Sequence, residues 1–142
     1  MPFLISIPGL TDNGMKTKKL VELVDLFPTL VEAAGYDPLP LCPEKSQHVN
    51  LCRDGSSLLP LFHDPDRDDW KSAAFWQWPR EHNPKGVPTK MGYTIRTERY
   101  RYTEWVHIKH LGGRAYEPYW GRTAGGSELY DLEKDPQENT NM

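Results

Sequence analysis

The spacing of apolar residues changes several times along the chain, and each change marks an element. Residues 3–7 (Phe-Leu-Ile-Ser-Ile) form a short apolar run closed by Pro8-Gly9, the pattern of a buried strand. Residues 20–24 are a second such run and predict a second strand. Asp25 then reads as the N-cap of a helix over residues 26–34, because Pro28 is tolerated in a first turn and not in a helix interior. Leu26, Leu30 and Ala33 fall on one side of that helix, and Gly35 supplies its stop. A strand feeding a capped helix predicts an α/β layer. Residues 36–57 form a Pro-rich loop, residues 58–62 are a short apolar segment, and residues 63–69 are an acidic turn. Residues 72–78 read as an aromatic strand, and residues 79–90 as a polar loop. Residues 107–127 form a loop rich in glycine and aromatics. Residues 128–132 predict a final strand, and residues 133–141 a turn ready to cap a helix.

The clearest alternation lies in residues 91–106, which predict a β-hairpin connected at Glu98-Arg99. Met91, Tyr93, Ile95 and Thr97 share one face, continued on the return strand by Tyr100, Tyr102 and Val106, with Glu104 as the exception. Arg96, Arg101 and Trp105 share the other face. Placing Thr97 opposite Tyr100 sets Arg96 opposite Arg101. Like charges across a ladder repel, so that face calls for a carboxylate or a bound anion. The connection lacks the Asn-Gly or Gly-X chemistry that two-residue hairpins prefer.

Composition narrows the class. The 142 residues suffice for one domain or a large subdomain, and 26% charged residues with 11% aromatics describe a globular chain. Thirteen prolines and eleven glycines predict short elements joined by many loops. The formal net charge of −3 argues against a nucleic-acid partner, which a basic excess would accompany. No apolar run approaches the roughly 18–20 residues of a membrane span. The opening residues lack the basic n-region of a signal peptide.

Candidate chemistry is sparse. Cys42 and Cys52 lie ten positions apart and read either as one small disulfide loop or as two free thiols. A bridge there would contribute about 2.7 kcal/mol by loop entropy. A zinc site could draw on His48, but lacks an obvious fourth ligand. Residues 63–69 lack the Gly and the closing Glu of a calcium loop and read as a solvated turn. No nucleophile elbow, phosphate loop or His-Glu-x-x-His motif is present. The aromatics Phe75, Trp76, Trp78, Tyr100, Tyr102 and Trp105 read first as sheet packing and second as stacking surfaces for sugars. Arg96 and Arg101 read first as partners of nearby carboxylates and second as an anion contact.

The order of segments resembles the C-terminal part of a sulfatase. The resemblance rests on residues 3–9, on Val24-Asp-Leu-Phe-Pro-Thr-Leu30 with Ala34-Gly35, and on Gly55-Ser-Ser-Leu-Leu-Pro-Leu61. Glu128-Leu-Tyr-Asp-Leu132 with Asp135-Pro136 extends it. Leu41-Cys-Pro43 with Cys52-Arg53, and Met91-Gly-Tyr-Thr-Ile-Arg-Thr97 with Tyr100-Arg-Tyr-Thr103, are similar to the iduronate-sulfatase branch of that family.

The resemblance implies an α/β fold with an α+β C-terminal subdomain. Residues 1–62 would be the tail of the catalytic α/β domain (strand, strand, helix and disulfide loop). Residues 63–142 would be a C-terminal subdomain with a small antiparallel sheet, truncated before a final helix. It implies a Cys42–Cys52 disulfide and a lysosomal or secreted setting. The parent activity would be removal of the 2-sulfate of iduronate in heparan and dermatan sulfate, using calcium and a formylglycine. Neither cysteine here matches the formylglycine motif, so this chain is expected to hold no catalytic or metal-binding residue. Its implied partners are a missing N-terminal sulfatase region and a sulfated glycosaminoglycan. His82, Lys85 and Lys90, in the polar loop, are the candidates for a substrate rim. A non-catalytic module that binds sulfated glycans, or a purely structural one, is the alternative.

Overall fold

The structure, a computed structural model, describes residues 3–12, 14–45, 49–112 and 115–142, with residues 115 and 121–124 as backbone alone. The chain forms two compact units, Met1–Lys71 and Ser72–Met142. The sequence reading divides it at 62/63. The acidic turn instead belongs with the first unit, because the indole N–H of Trp70 donates to the Leu20 carbonyl at 2.7 Å. The Lys71 ammonium adds ion pairs to Glu22 at 2.9 Å and to Asp25 at 2.7 Å.

In the first unit the two predicted strands are absent. A strand needs a hydrogen-bonded neighbour, and residues 3–7 and 20–24 have none among the described residues. The Ile7 carbonyl closes a turn instead, accepting from the Leu10 and Thr11 amides at 3.0 Å each. Residues Leu23–Asp25 wind into a short 3-10 turn that runs directly into helix α1 (Leu26–Ala33). Gly35, with φ of 83°, ends the helix as its position predicts.

The orientation of α1 is also a correction. Of the predicted apolar side, Leu26 and Ala33 are only half-buried and Leu30 is 55% exposed, with Phe27 beside it at 49%. The buried side is Asp25, Pro28 and Thr29, with Asp25 and Thr29 at 0%. Hydrogen bonds explain why a polar side can go inward. Asp25 accepts from the Ser56 amide through one oxygen and from the Glu22 amide through the other, both at 2.8 Å. Thr29 donates to the Asp25 carbonyl at 2.5 Å and accepts from the Leu58 amide at 2.8 Å. The bend at Gly55 lies so close that a Cβ there would sit 2.1 Å from the Val24 carbonyl oxygen, so only glycine fits.

The loop before Gly55 is closed by a Cys42–Cys52 disulfide, the outcome the resemblance implies. Arg53 braces it, donating through Nε to the Leu39 carbonyl at 2.9 Å and through Nη1 to the Gly55 carbonyl at 2.6 Å. Residues 58–62 become the short helix α2 (Leu59–His63), which has Pro60 in its first turn and buries Leu61.

The second unit is a four-stranded antiparallel meander in chain order: β1 (Ala74–His82), β2 (Pro88–Arg96), β3 (Tyr100–Gly112) and β4 (Ala115–Asp131). The register expected for the central hairpin is found, with Arg96 opposite Arg101. Its turn works without Asn-Gly because Thr97 stands in: the Thr97 hydroxyl accepts the Tyr100 amide at 2.9 Å. Arg99 at the tip is then clamped onto Asp131 of β4 through two bonds of 3.1 and 2.7 Å. Arg99 is pushed above its ordinary value, and Asp131 held below the usual carboxylate range, chiefly by that shared hydrogen bonding.

Residues 107–127, expected as a loop, instead carry the end of β3 and most of β4, and residues 79–90 are a further correction. They are not a loop but the outer half of a hairpin, with β1 running on to His82 and β2 starting at Pro88. The true turn is residues 83–87, where the Asn83 side-chain oxygen accepts the Lys85 and Val87 amides and Gly86 adopts φ of 74°. Met91, Val106 and Ile108 form the small buried core on one face of the sheet. Further along that face lies an open groove of about 490 Å³, with Phe75, Tyr93, Tyr102 and Trp120 among its walls.

Candidate functional site

The cations expected to meet substrate all lie on or beside the two hairpins of the sheet, but the structure does not gather them into one cluster. Lys85 sits in the 83–87 turn and is exposed. His82 ends β1 opposite Pro88, and Lys90 lies one step further in, opposite Arg80 on one side and His107 on the other. Lys90 is engaged, pairing with Glu81 at 2.7 Å. That hydrogen bond holds the Glu81 carboxyl below the usual range. Glu81 takes the left-handed conformation, φ 51°, at this point of the strand.

Arg96 and Arg101 form a separate row, three cross-strand steps from Lys90, or roughly 20 Å. Arg101 pairs with Glu138 and stacks over Tyr130 at 5.0 Å. Its Nε is buried with no hydrogen-bond partner. Arg96 has no ion pair among the described residues. Carboxylates thus hold one arginine of the pair, and the other is free.

Between these rows lies an arrangement that the loop reading hid. Alternation along β1 puts Trp76, Trp78 and Arg80 on one face. Trp78 is opposite Gly92, and Gly92 is opposite Trp105. The Trp105 indole lies across Gly92, where an added Cβ would come within 2.7 Å of the ring. The indole N–H of Trp105 is fixed by Glu128 at 2.9 Å, and Arg80 stacks on the ring at 4.8 Å. The period-two spacing Trp76, Trp78, Arg80 is the signal that points to this face once residues 79–82 are read as strand.

The first unit holds the other arrangement that sequence missed, the Asp25–Lys71–Glu22 cluster. It joins residues 22–29 to residues 55–58 and Lys71. Both cysteines are consumed in the disulfide. Among the described residues no group of three or more His, Cys, Asp or Glu could hold a metal ion. His48, the one histidine weighed as a zinc ligand, lies outside the described residues. No helix is long and apolar enough to cross a membrane among the described residues.

Comparison with known proteins places this chain among the sulfatase C-terminal domains, and it belongs to that family: N-sulphoglucosamine sulphohydrolase, C-terminal, matched over residues 1–142. It is 36% identical to human iduronate 2-sulfatase over 96% of its length, and 32% identical to rat arylsulfatase K over 100%. It spans 27% and 21% of those two proteins. Among solved structures, a phosphonate monoester hydrolase of Agrobacterium radiobacter matches 87% of the chain with a TM-score of 0.51 and 27% identity, and the chain covers 21% of it. A sulfatase-like protein of Bacteroides thetaiotaomicron matches 82% with a TM-score of 0.50 and 28% identity, and the chain covers 19% of it.

Proposed function

We propose that this chain serves as the C-terminal part of a sulfuric-ester hydrolase that removes the 2-sulfate of iduronate residues in heparan and dermatan sulfate, and that it supplies no catalytic group itself. The observation that carries the reading is the 36% identity to iduronate 2-sulfatase across 96% of the chain. In this reading the formylglycine, the calcium ion and the sulfate-binding residues belong to the rest of a sulfatase domain. The chain's own share is structural support and a basic rim. Lys90, aligned by Glu81 on β2, with His82 and Lys85 nearer the turn, would face sulfate or carboxylate groups of the glycan. Arg96 would give a second anion contact beyond them, with Arg101 beside it.

The outward apolar side of α1 supports a second element of the reading. Leu23, Val24, Phe27 and Leu30 are all exposed, a patch that normally marks a contact surface. The remaining sulfatase region would cover it. The disulfide suits a lysosomal or secreted setting, since such bridges persist in oxidising compartments.

A chimera tests this reading. The matched C-terminal segment of human iduronate 2-sulfatase is replaced by this chain and assayed on an iduronate 2-sulfate disaccharide. Turnover by the chimera and none by the 142-residue chain alone is the expected result. A folded, secreted chimera with no turnover would sink the substrate assignment. Turnover by the chain alone would sink the claim that it carries no catalytic group.

A further inference from the structure

We infer that Arg80, stacked on Trp105 beside the exposed indole of Trp78, forms a saccharide-binding patch that receives the anionic substituent of a sulfated or uronate-bearing sugar. The inference rests on the glycosaminoglycan reading above and assigns it a contact on the sheet face. It takes its form from how the three side chains are held.

Trp105 is fixed before any ligand arrives. Its ring fills the space left by Gly92, its N–H is held by Glu128, and a Cβ added at Gly125 would come 3.4 Å from its own Cβ. Arg80 lies over that ring with its centre 4.8 Å from the centroid. Stacking uses the flat face of a guanidinium and leaves its in-plane N–H donors pointing outward. No described carboxylate forms an ion pair with Arg80, although Glu81 is its chain neighbour, because Glu81 is committed to Lys90. The fork is therefore exposed, oriented and uncompensated, the state in which a guanidinium takes an oxyanion through two parallel hydrogen bonds.

Trp78 supplies the second half of the patch. It is 67% exposed and follows the same face one step from Arg80, a spacing of about 6.8 Å. A flat apolar ring at that distance from an anion fork suits a pyranose, whose C–H face can cover the indole while its sulfate or carboxylate reaches the fork. His107, opposite Lys90, adds an exposed imidazole on the same row. A nucleic acid is disfavoured by the net charge of −3.

The test uses the whole chain and three probes: a heparin tetrasaccharide, its fully desulfated counterpart, and a neutral dextran oligosaccharide. Binding is followed by tryptophan fluorescence and calorimetry, at about 50 and about 200 mM salt. The heparin probe is expected to bind, to weaken with salt, and to lose about tenfold in affinity in Arg80→Ala and again in Trp78→Ala. Arg80→Lys keeps the charge but loses the fork, and should fall between Arg80→Ala and the parent. Lys134→Ala, an exposed cation beyond the end of β4, should change affinity by less than about twofold. Retention of the desulfated probe with the same Arg80 dependence would identify the carboxylate as the anion recognised, and its loss would identify the sulfate. The indole N–H resonance of Trp105 reports whether each variant keeps the sheet. Binding that is indifferent to Arg80 and Trp78, binding of dextran equal to that of heparin, or no binding of any probe would overturn the patch. Each of those results leaves the chimera assay, and the reading it tests, to stand or fall separately.

Discussion

The side chains buried to completion differ between the two units: Val106 in the sheet, and Asp25, Pro28 and Thr29 in the first unit. The sheet of residues 74–131 encloses Met91, Val106 and Ile108 by ordinary alternation, and its polar groups are paired across strands, as where Thr94 and Thr103 share a hydrogen bond of 2.8 Å. The first unit puts a carboxylate and a hydroxyl at its centre, beside the buried Leu58 and Leu61, and turns Phe27 and Leu30 of its helix outward. Hydrophobic burial is non-directional and tolerates sliding, whereas a buried carboxylate with several donors has one good arrangement. The first unit is therefore specified by hydrogen bonds and the second by packing. The exposed Phe27 and Leu30 are the part of that unit for which the proposed sulfatase reading supplies a partner surface. The sheet needs no such surface to explain its core.

Removing Asp25 should break that contrast most severely. Asp25→Ala leaves the Lys71 ammonium with Glu22 as its one remaining carboxylate among the described residues, and the Glu22 and Ser56 amides without their acceptor. Losing one partner of a buried ion pair costs roughly 3–5 kcal/mol. Lys71→Met should cost less, because Asp25 keeps two amide donors. Amide exchange separates the units: Ser56 and Leu58 should lose protection in Asp25→Ala while Met91 and Val106 keep theirs. Equal loss in the sheet would show that the two units do not differ in the way described.

Gly55→Ala attacks the same unit through shape alone. Its Cβ would meet backbone, the Val24 carbonyl at 2.1 Å, which cannot swing aside as a side chain can. A loss of about 3 kcal/mol is expected, at the upper end for overpacking. Gly92→Ala, its counterpart in the sheet, meets the Trp105 ring at 2.7 Å. A ring can rotate, so about 1–2 kcal/mol is expected, together with a changed Trp105 fluorescence. Chemical denaturation of both variants checks the order. A Gly92→Ala cost above that of Gly55→Ala would mean that the indole is held more rigidly than the backbone of the polar-cored unit.

Much of the sheet was legible because alternation needs only neighbours close in sequence. The central hairpin, its turn at Glu98-Arg99 and the Arg96–Arg101 pairing all follow from period two. The 79–90 stretch was not legible, since its prolines and charges mimic a loop, and the Trp78–Arg80 spacing was lost with it. In the first unit the apolar runs at residues 3–7 and 20–24 read as strands, but a run does not name its partner, and none is found among the described residues. The inverted face of α1 was hidden for a similar reason. The donors that permit Asp25 to be buried come from Ser56 and Lys71, 31 and 46 positions away. Of the site, the cations were legible as residue types, but Glu81's hold on Lys90 and Trp105's hold on Arg80 were not.

The smallest expected effect concerns pH, and it falls on the sheet. Arg99 holds the Asp131 carboxyl below its ordinary value, which for an aspartate is about 3.9. A carboxyl whose folded value is depressed contributes fully above the unfolded value and loses that contribution as pH falls through the folded one. The clamp between the Arg99 turn and β4 should thus be unchanged from about pH 7 to about pH 5, and weaken only below about pH 4. The Leu132 amide, bonded to the Arg99 carbonyl at 2.7 Å, reports it directly. In Asp131→Asn the Leu132 resonance should be shifted already at neutral pH and should lack the acid transition. Fraying of Leu132 near pH 6 in the parent, or an unaltered acid transition in Asp131→Asn, would assign the titration to another group. The hairpin tip would then owe its position to the Thr97 turn alone.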